Sequence, residues 1–232
     1  MTLAGGFAWL GSALFLASLL LFLYTYFIGF AEPAPAGPRV GPTITNLLLF
    51  SAFALHHSLL ARARLREAVR RLVTPRLERA VYTWTASLLF AAVCISWRPV
   101  PGVAYTLNGV WWWIGVAAQG AGFLLVFRGS SAIDVLDLAG VRQVSTAADP
   151  QHVALETGGV YSLVRHPIYL GWTLIVFGAP VMTMTRLTFA VISTAYVAIA
   201  VPWEERTLLQ TFGADYEAYR RRVRWRMLPG VY

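Results

Sequence analysis

The sequence is poor in sulfur, in lysine and in charge. Its single cysteine, Cys94, rules out an intramolecular disulfide and a thiolate cluster for zinc. All 19 basic residues are arginine, and charged residues make up only 13% of the chain. Because 57% of the residues are hydrophobic, the composition excludes an ordinary soluble domain.

The hydrophobic residues occur in blocks of membrane length. Six segments are predicted to span a bilayer: 7–31, 44–61, 80–97, 109–127, 167–184 and 187–204. The first has no basic region before it and is long for a signal peptide, so we interpret it as a retained span. We predict an all-α integral membrane protein with about six transmembrane helices and one domain over residues 1–232. Its N-terminal helices would occupy residues 1–127, and its second half residues 128–232.

The net charge of +8 is explained by where the arginines lie. Three arginines (Arg39, Arg98 and Arg186) fall in alternate loops, whereas all the others lie between spans two and three, between spans four and five, or after the last span. This is the positive-inside pattern, and it places both termini in the cytoplasm. The arginine-rich residues 62–79 are expected to lie on the anionic inner leaflet. The basic residues therefore indicate membrane topology and not a nucleic-acid partner.

The stretch GGVYSLVRHPIYLGW, residues 158–172, places charge at the start of a predicted helix. Arg165 and His166 stand immediately before Pro167, and proline is favoured in the first turn of a helix. The free N–H groups at such a helix start stabilise an anion. The stretch therefore predicts a site for an anionic group such as a carboxylate.

A second charged cluster follows the next apolar segment, at Glu204 and Glu205. If residues 167–204 fold back as a hairpin, these glutamates return beside Arg165. The hairpin would then bind a ligand that carries both a cationic and an anionic group. After Glu205, apolar residues recur every three or four positions and predict a C-terminal amphipathic helix interrupted at Gly213, with the stripe Leu209, Phe212, Tyr216, Tyr219 and Val223.

Two histidines, His56 and His57, lie inside an otherwise apolar span. Ionisable residues within a span are costly and are often functional. An interfacial histidine bonded to carbonyls is an equal alternative for His57 and the favoured one for His56. Adjacent positions on a helix point in different directions, so the two do not form a metal pair.

Taken in order, the C-terminal motifs match the pattern GxY-x-x-VRHPxYxG, a span, EE and FG-x-x-Y-x-x-Y over residues 159–219. This pattern resembles the isoprenylcysteine carboxyl methyltransferase and phospholipid methyltransferase superfamily. The remaining segments look most like the bacterial methanethiol S-methyltransferase branch, namely HHSLLAR (56–62), ERAVYTWTASL (78–88), WRPVP (97–101), DLAGVRQV (137–144) and the long match over residues 164–205.

The resemblance implies an all-helical membrane enzyme that binds S-adenosylmethionine at the cytosolic face, in the half spanning residues 128–232. The implied acceptor is a small lipophilic thiol, methanethiol, which would give dimethyl sulfide, and the implied location is the bacterial inner membrane. No metal is implied. Carried over by position, the residues implied to bind the cofactor are Tyr161, Arg165, His166, Pro167, Tyr169, Glu204, Glu205, Tyr216 and Tyr219.

A thiol acceptor needs a group that takes its proton, because the thiolate is the nucleophile. His57 is the first candidate and Glu205 the second, although Glu205 cannot easily also bind the cofactor ammonium. A larger acceptor (an isoprenylcysteine carboxylate, a phospholipid amine or an aromatic hydroxyl) remains an alternative. Further alternatives are a non-catalytic membrane protein of the denitrification-linked families and an ion carrier, but the spans lack the mid-membrane charges that a carrier needs.

Overall fold

The computed structural model describes residues 2–60, 73–74, 76–131, 140–145 and 154–232. Most of the arginine-rich segment predicted to lie on the inner leaflet falls outside the described residues. The helices are α1 (Leu3–Phe27), α2 (Val40–Leu60), α3 (Glu78–Ser96), α4 (Val110–Ser130), α5 (Val141–Ser145), α6 (Pro167–Phe177), α7 (Met184–Phe212) and α8 (Ala214–Arg222). Short 3₁₀ helices cover Gly29–Ala31 and Gly159–Ser162, and two strands, β1 (Val103–Thr106) and β2 (Val181–Thr183), complete the described structure.

The predicted helical membrane architecture is confirmed in its main features. Four helices among the described residues are long and apolar enough to cross a membrane: Leu3–Ala31, α3, α4 and α7. The helix α2, predicted as a span, is not among these four. Six crossings are therefore a prediction that goes beyond this structure.

The described residues form two compact units. The first comprises the described residues up to Pro101 together with residues 140–145. In this unit α1 packs against α3, and a Cβ atom at Gly11 would lie 2.8 Å from the Trp84 ring, so the glycine makes room for the indole. The indole N–H of Trp84 donates to the carbonyl of Phe7 at 2.9 Å. These contacts bury one face of each helix and leave many apolar side chains exposed, as expected for helices that face lipid.

The second unit comprises residues 102–131 and 154–232. Its main contact is between α4 and α6, whose backbones approach closely at glycines. A Cβ atom added to Gly122 would lie 2.6 Å from the carbonyl oxygen of Gly171, and one added to Gly115 would lie 2.7 Å from that of Gly178. Real Cβ atoms do not come so close, so glycine is required at this helix crossing. The single domain over residues 1–232, with halves that meet at residue 128, stays a prediction.

The predicted fifth span is much shorter than expected. The sequence indicates a helix over residues 167–184, but α6 has 11 residues and ends at Phe177. At 1.5 Å per residue it rises only about 16 Å, against a hydrocarbon core of about 30 Å. The expectation of a full-length fifth helix is therefore wrong.

Side chains from neighbouring elements explain why α6 stops there. The hydroxyl of Tyr105 donates to the carbonyl of Phe177 at 2.8 Å, and the amide of Gln119 donates to that of Ile175 at 2.9 Å. Carbonyls at a helix end have no partner within the helix, and these side chains satisfy them. The chain then enters β2, which pairs antiparallel with β1. This two-stranded sheet was not predicted from the sequence. Thr183 closes this turn by capping α7, accepting a hydrogen bond from the N–H of Arg186 at 3.1 Å.

The helix α7 has 29 residues and continues past the two glutamates to Phe212. Gly213, at φ 54°, ends α7 and begins α8, which confirms the predicted interruption. Beyond it, Tyr216, Tyr219 and Val223 pack into one cluster together with Phe212 and Leu209. The predicted apolar stripe of the C-terminal helix is therefore confirmed, and its position in the cytosol remains a prediction.

Candidate active site at the start of helix α6

Pro167 is the first residue of α6, as the sequence predicts, and the two residues before it are bound to the C-terminal segment. The backbone N–H of Arg165 donates to the carbonyl of Trp225 at 3.0 Å, and that of His166 donates to the carbonyl of Arg226 at 2.8 Å. The segment after α8 is therefore held against the loop that leads into α6.

The predicted fold-back of the chain is confirmed, because Glu205 returns to Arg165. The Nε atom of Arg165 donates to Oε1 of Glu205 at 2.6 Å, and the two side chains are only 6% and 5% exposed. Nη1 of Arg165 donates to the carbonyls of Val223 (2.7 Å) and Arg224 (2.8 Å). This buried ion pair therefore joins the start of α6, helix α7 and the C-terminal segment.

A second arginine completes the environment of Glu205. The Nε atom of Arg226 donates to Oε2 of Glu205 at 3.1 Å, and the Arg226 side chain is 33% exposed. Burial opposes the charge of Arg226, but Glu205 and Tyr232 outweigh that effect and raise its pKa. Both oxygens of Glu205 are thus occupied by guanidinium groups. Sequence reasoning placed Arg226 only among the arginines of the cytosolic tail, and no local signal marks it as a partner of Glu205.

The neighbouring Glu204 lies in a different environment, with its side chain 44% exposed. Its Oε1 accepts a hydrogen bond of 2.5 Å from the hydroxyl of Tyr169. The ring of His166 stacks on that of Tyr169, with centroids 5.5 Å apart and planes 3° from parallel. Nδ1 of His166 lies 3.6 Å from Glu204, and Nε2 lies 3.6 Å from Glu205, both beyond hydrogen-bond distance. Glu204 therefore keeps one carboxylate oxygen without a close partner among these side chains.

These groups border a cavity of about 360 Å³, which we call the tyrosine cavity. Its volume falls in the range of small-molecule binding sites. Eight of the nine residues predicted to bind a cofactor line it, and Glu205 does not; the eight are Tyr161, Arg165, His166, Pro167, Tyr169, Glu204, Tyr216 and Tyr219.

The far wall of the tyrosine cavity is aromatic. The hydroxyl of Tyr219 donates to the carbonyl of Tyr161 at 2.7 Å, and the hydroxyl of Tyr161 donates to the carbonyl of Gly129 at 3.1 Å. Burial raises the pKa of Tyr216 to about 12 and also raises the pKa of Tyr219 and of Tyr161. These phenols therefore stay protonated near neutral pH. Because Tyr161 and Tyr219 already use their hydroxyls on backbone carbonyls, they offer ring faces and not charge.

Several residues of the cavity were not predicted from the sequence. Leu208 and Phe212 follow Glu204 by four and eight positions on α7, so helical periodicity from Glu204 could have identified them. Ile168 lies between two predicted residues in the first turn of α6. Leu155 and Glu156 come from the chain before the 3₁₀ helix, and no pattern in the sequence marks them.

The histidine proposed as a base lies in the first unit. Nδ1 of His57 is 2.7 Å from the hydroxyl of Tyr82, and its ring also lies against Phe53. His57 is not among the residues that line the tyrosine cavity, all of which belong to the second unit. Its catalytic role stays a prediction.

Comparison with known proteins shows the family to which the chain belongs. Residues 110–215 match the family described as Phospholipid methyltransferase. The chain is 35% identical over 183 residues to "Methanethiol S-methyltransferase 2" of Bradyrhizobium diazoefficiens, covering 78% of this chain and 71% of that protein. It is 32% identical over 229 residues to "Methanethiol S-methyltransferase" of Mycobacterium tuberculosis, covering 89% and 91%. No solved structure matches the chain. The matched region contains the start of α6 and both glutamates, and the chain therefore belongs to the membrane methyltransferase family that includes these relatives.

Proposed function

We propose that this membrane methyltransferase transfers the methyl group of S-adenosylmethionine to a small lipophilic thiol, converting methanethiol to dimethyl sulfide. The observation that carries the proposal is the tyrosine cavity, where a half-exposed carboxylate, a helix start and an aromatic wall border one small space. The names of the relatives support the choice of a thiol acceptor.

The residues present fit the parts of S-adenosylmethionine. Glu204 has a carboxylate oxygen available for the ammonium group, and the rings of Tyr216 and Tyr219 offer faces for the adenine. The ring of His166 lines the cavity, and its Nε2, which has no hydrogen-bond partner among the described residues, lies 3.6 Å from Glu205. The cavity volume of about 360 Å³ is that of a site for a ligand of this size.

Arg165 would bind the cofactor carboxylate through one nitrogen and not through a two-nitrogen fork. A two-nitrogen fork from Arg165 requires free neighbouring nitrogens, but Nε and Nη1 of Arg165 already donate to Glu205 and to two carbonyls. We propose that Nη2 of Arg165 and the positive end of α6 bind the carboxylate together. In this arrangement Glu205 is a positioning residue that holds Arg165 in place.

When bound, S-adenosylmethionine supplies a methyl group already activated by its sulfonium centre. The tasks left to the protein are to align the acceptor and to exclude water, and each can be worth several kcal/mol. The apolar side chains Leu155, Leu208 and Phe212 line the cavity and disfavour water. The thiol sulfur would bond to the methyl carbon as the bond from that carbon to the sulfonium breaks, which would leave S-adenosylhomocysteine, and the thiol proton would pass to a base on the protein. Because both oxygens of Glu205 are bound by arginines, we favour His57 over Glu205 for this role.

The direct test is methylation by the purified protein, with dimethyl sulfide measured by gas chromatography. The Glu204→Gln variant should weaken cofactor binding about tenfold to a hundredfold, because it removes the charge that meets the ammonium. Asp215→Asn is the matched control, since Asp215 is exposed, lies on the next helix and does not line the cavity. Methylation of isoprenylcysteine or a phospholipid amine, with no product from methanethiol, would contradict the thiol assignment. Wild-type cofactor affinity in the Glu204 variant would remove Glu204 from the site.

We also propose the bacterial inner membrane as the location, with both termini in the cytoplasm. The distribution of arginines between alternate loops supports this orientation. A cysteine introduced near the C-terminus, in a Cys94→Ser background, should react with an impermeant maleimide only after cells are opened. Labelling of intact cells would contradict it.

A further inference from the structure

A second cavity, of about 420 Å³, lies beside the C-terminal segment and is unusually rich in arginine. We call it the arginine cavity. Five guanidinium groups border it, from Arg165, Arg220, Arg221, Arg224 and Arg226, and Glu217 is the one acidic side chain among its described lining residues. Trp225 and Tyr232 complete the wall. The proposed methyl transfer does not use this cavity, although Arg165 borders both.

The charges of the arginine cavity are only partly compensated. Glu205 pairs with Arg165 and Arg226. Glu217 lies 3.9 Å from Arg221, and the side chains of Glu217 and Arg221 are mostly exposed. Within the described part of the chain, no ion pair involves Arg220 or Arg224. Neighbouring positive charges repel one another, and an anion bound between them relieves that repulsion. The cavity is therefore complementary to an anion of more than one charge or to several anionic oxygens.

Guanidinium groups favour phosphate, because their planar N–H donors match its oxygens in pairs. The position in the chain also favours a phosphate at the membrane surface. The helix α7 is 29 residues long and rises about 43 Å, which exceeds the hydrocarbon thickness by about 13 Å. If α7 enters the hydrocarbon core at its first residue, the residues that follow α7 lie at the level of lipid headgroups. Trp225, which is 41% exposed, is of a type enriched at that interface.

We propose that the arginine cavity binds a phosphate group, either in the headgroup of an anionic phospholipid or in a soluble phosphate. Arg220 and Arg224, which have no ion pair among the described residues, supply the positive charge. Arg165 and Arg226 form the inner wall, and Trp225 lies against the headgroup region. This proposal does not depend on the acceptor or on the methyl donor.

The test compares three forms of the full chain purified in a neutral detergent. The first is the wild type. The second is Arg220→Gln/Arg224→Gln. The third, Arg39→Gln/Arg98→Gln, is a matched control that removes two exposed arginines from the first unit. Native mass spectrometry measures retention of phosphatidylglycerol against phosphatidylcholine at equal concentration, and calorimetry measures binding of inorganic phosphate.

The wild type and the control should retain phosphatidylglycerol in preference to phosphatidylcholine, and the cavity variant should bind it at least tenfold more weakly. Retention of the lipid without binding of inorganic phosphate assigns the site to a headgroup, whereas binding of inorganic phosphate as well assigns it to the phosphate group itself. An Arg220→Lys/Arg224→Lys variant, which keeps the charge, should bind at an intermediate level and shows that any loss is not a folding defect. The proposal is overturned if the cavity variant binds like the control, if the wild type binds neither ligand, or if S-adenosylhomocysteine displaces the phosphate.

Discussion

We predict that changing Glu205 to glutamine lowers the stability of the protein, whereas the same change at the adjacent Glu204 weakens ligand binding. The side chain of Glu205 is 5% exposed and binds two guanidinium groups, whereas that of Glu204 is 44% exposed and faces the tyrosine cavity. The same chemical change therefore removes a buried, paired charge in one variant and a charge that borders the tyrosine cavity in the other.

The loss of stability expected for Glu205→Gln follows from the burial of its partner, Arg165. Arg165 is only 6% exposed, so it would keep an uncompensated charge, and breaking a buried pair in this way costs about 3–5 kcal/mol. Arg226 is a third exposed and is screened by water, and glutamine retains one carbonyl acceptor, so we expect the lower end, about 3 kcal/mol. For a chain of this size that corresponds to a decrease of roughly 6–12 °C in Tm.

The measurements are thermal unfolding in detergent and calorimetric titration with S-adenosylhomocysteine. Glu205→Gln should lower Tm by several degrees, and Glu204→Gln should leave Tm within about 2 °C while weakening binding. An unchanged Tm in the Glu205 variant together with lost affinity would refute the reasoning, because it would mean that Glu205 and not Glu204 meets the ligand.

Two further predictions concern the helix crossing and the base. Gly122→Ala should destabilise the protein by about 1–3 kcal/mol in thermal unfolding, because the new Cβ would lie 2.6 Å from the carbonyl of Gly171. Gly120→Ala is its control, since no atom lies within 4 Å of a Cβ there, and equal effects of the two changes would contradict the close crossing. His57→Ala should lower turnover about a hundredfold with little change in cofactor affinity, whereas His56→Ala should leave turnover near the wild-type value. Wild-type turnover of the His57 variant across pH 6–9 would end its assignment as the base.

The main features of the fold could be predicted from the sequence because they depend on local properties. Local sequence determines the apolar helices, the start of α6 at a proline and the break between α7 and α8 at a glycine. Each of these depends only on residues close by in the chain. Even so, the length of α6 was overestimated. Hydropathy cannot detect that Tyr105 and Gln119, distant in sequence, satisfy the carbonyls at its end.

The candidate site, too, was only partly predictable from the sequence. The order of its motifs determined that Arg165, His166 and the two glutamates would meet, since a hairpin of apolar segments returns the chain to its starting side. Only the tertiary structure decided which glutamate pairs with the arginines and which borders the tyrosine cavity. Adjacent residues on a helix point about 100° apart, and the direction that faces the cavity depends on where Arg165 and Arg226 hold the C-terminal segment. That choice is made by contacts between residues far apart in the chain, and no local pattern in the sequence contains it.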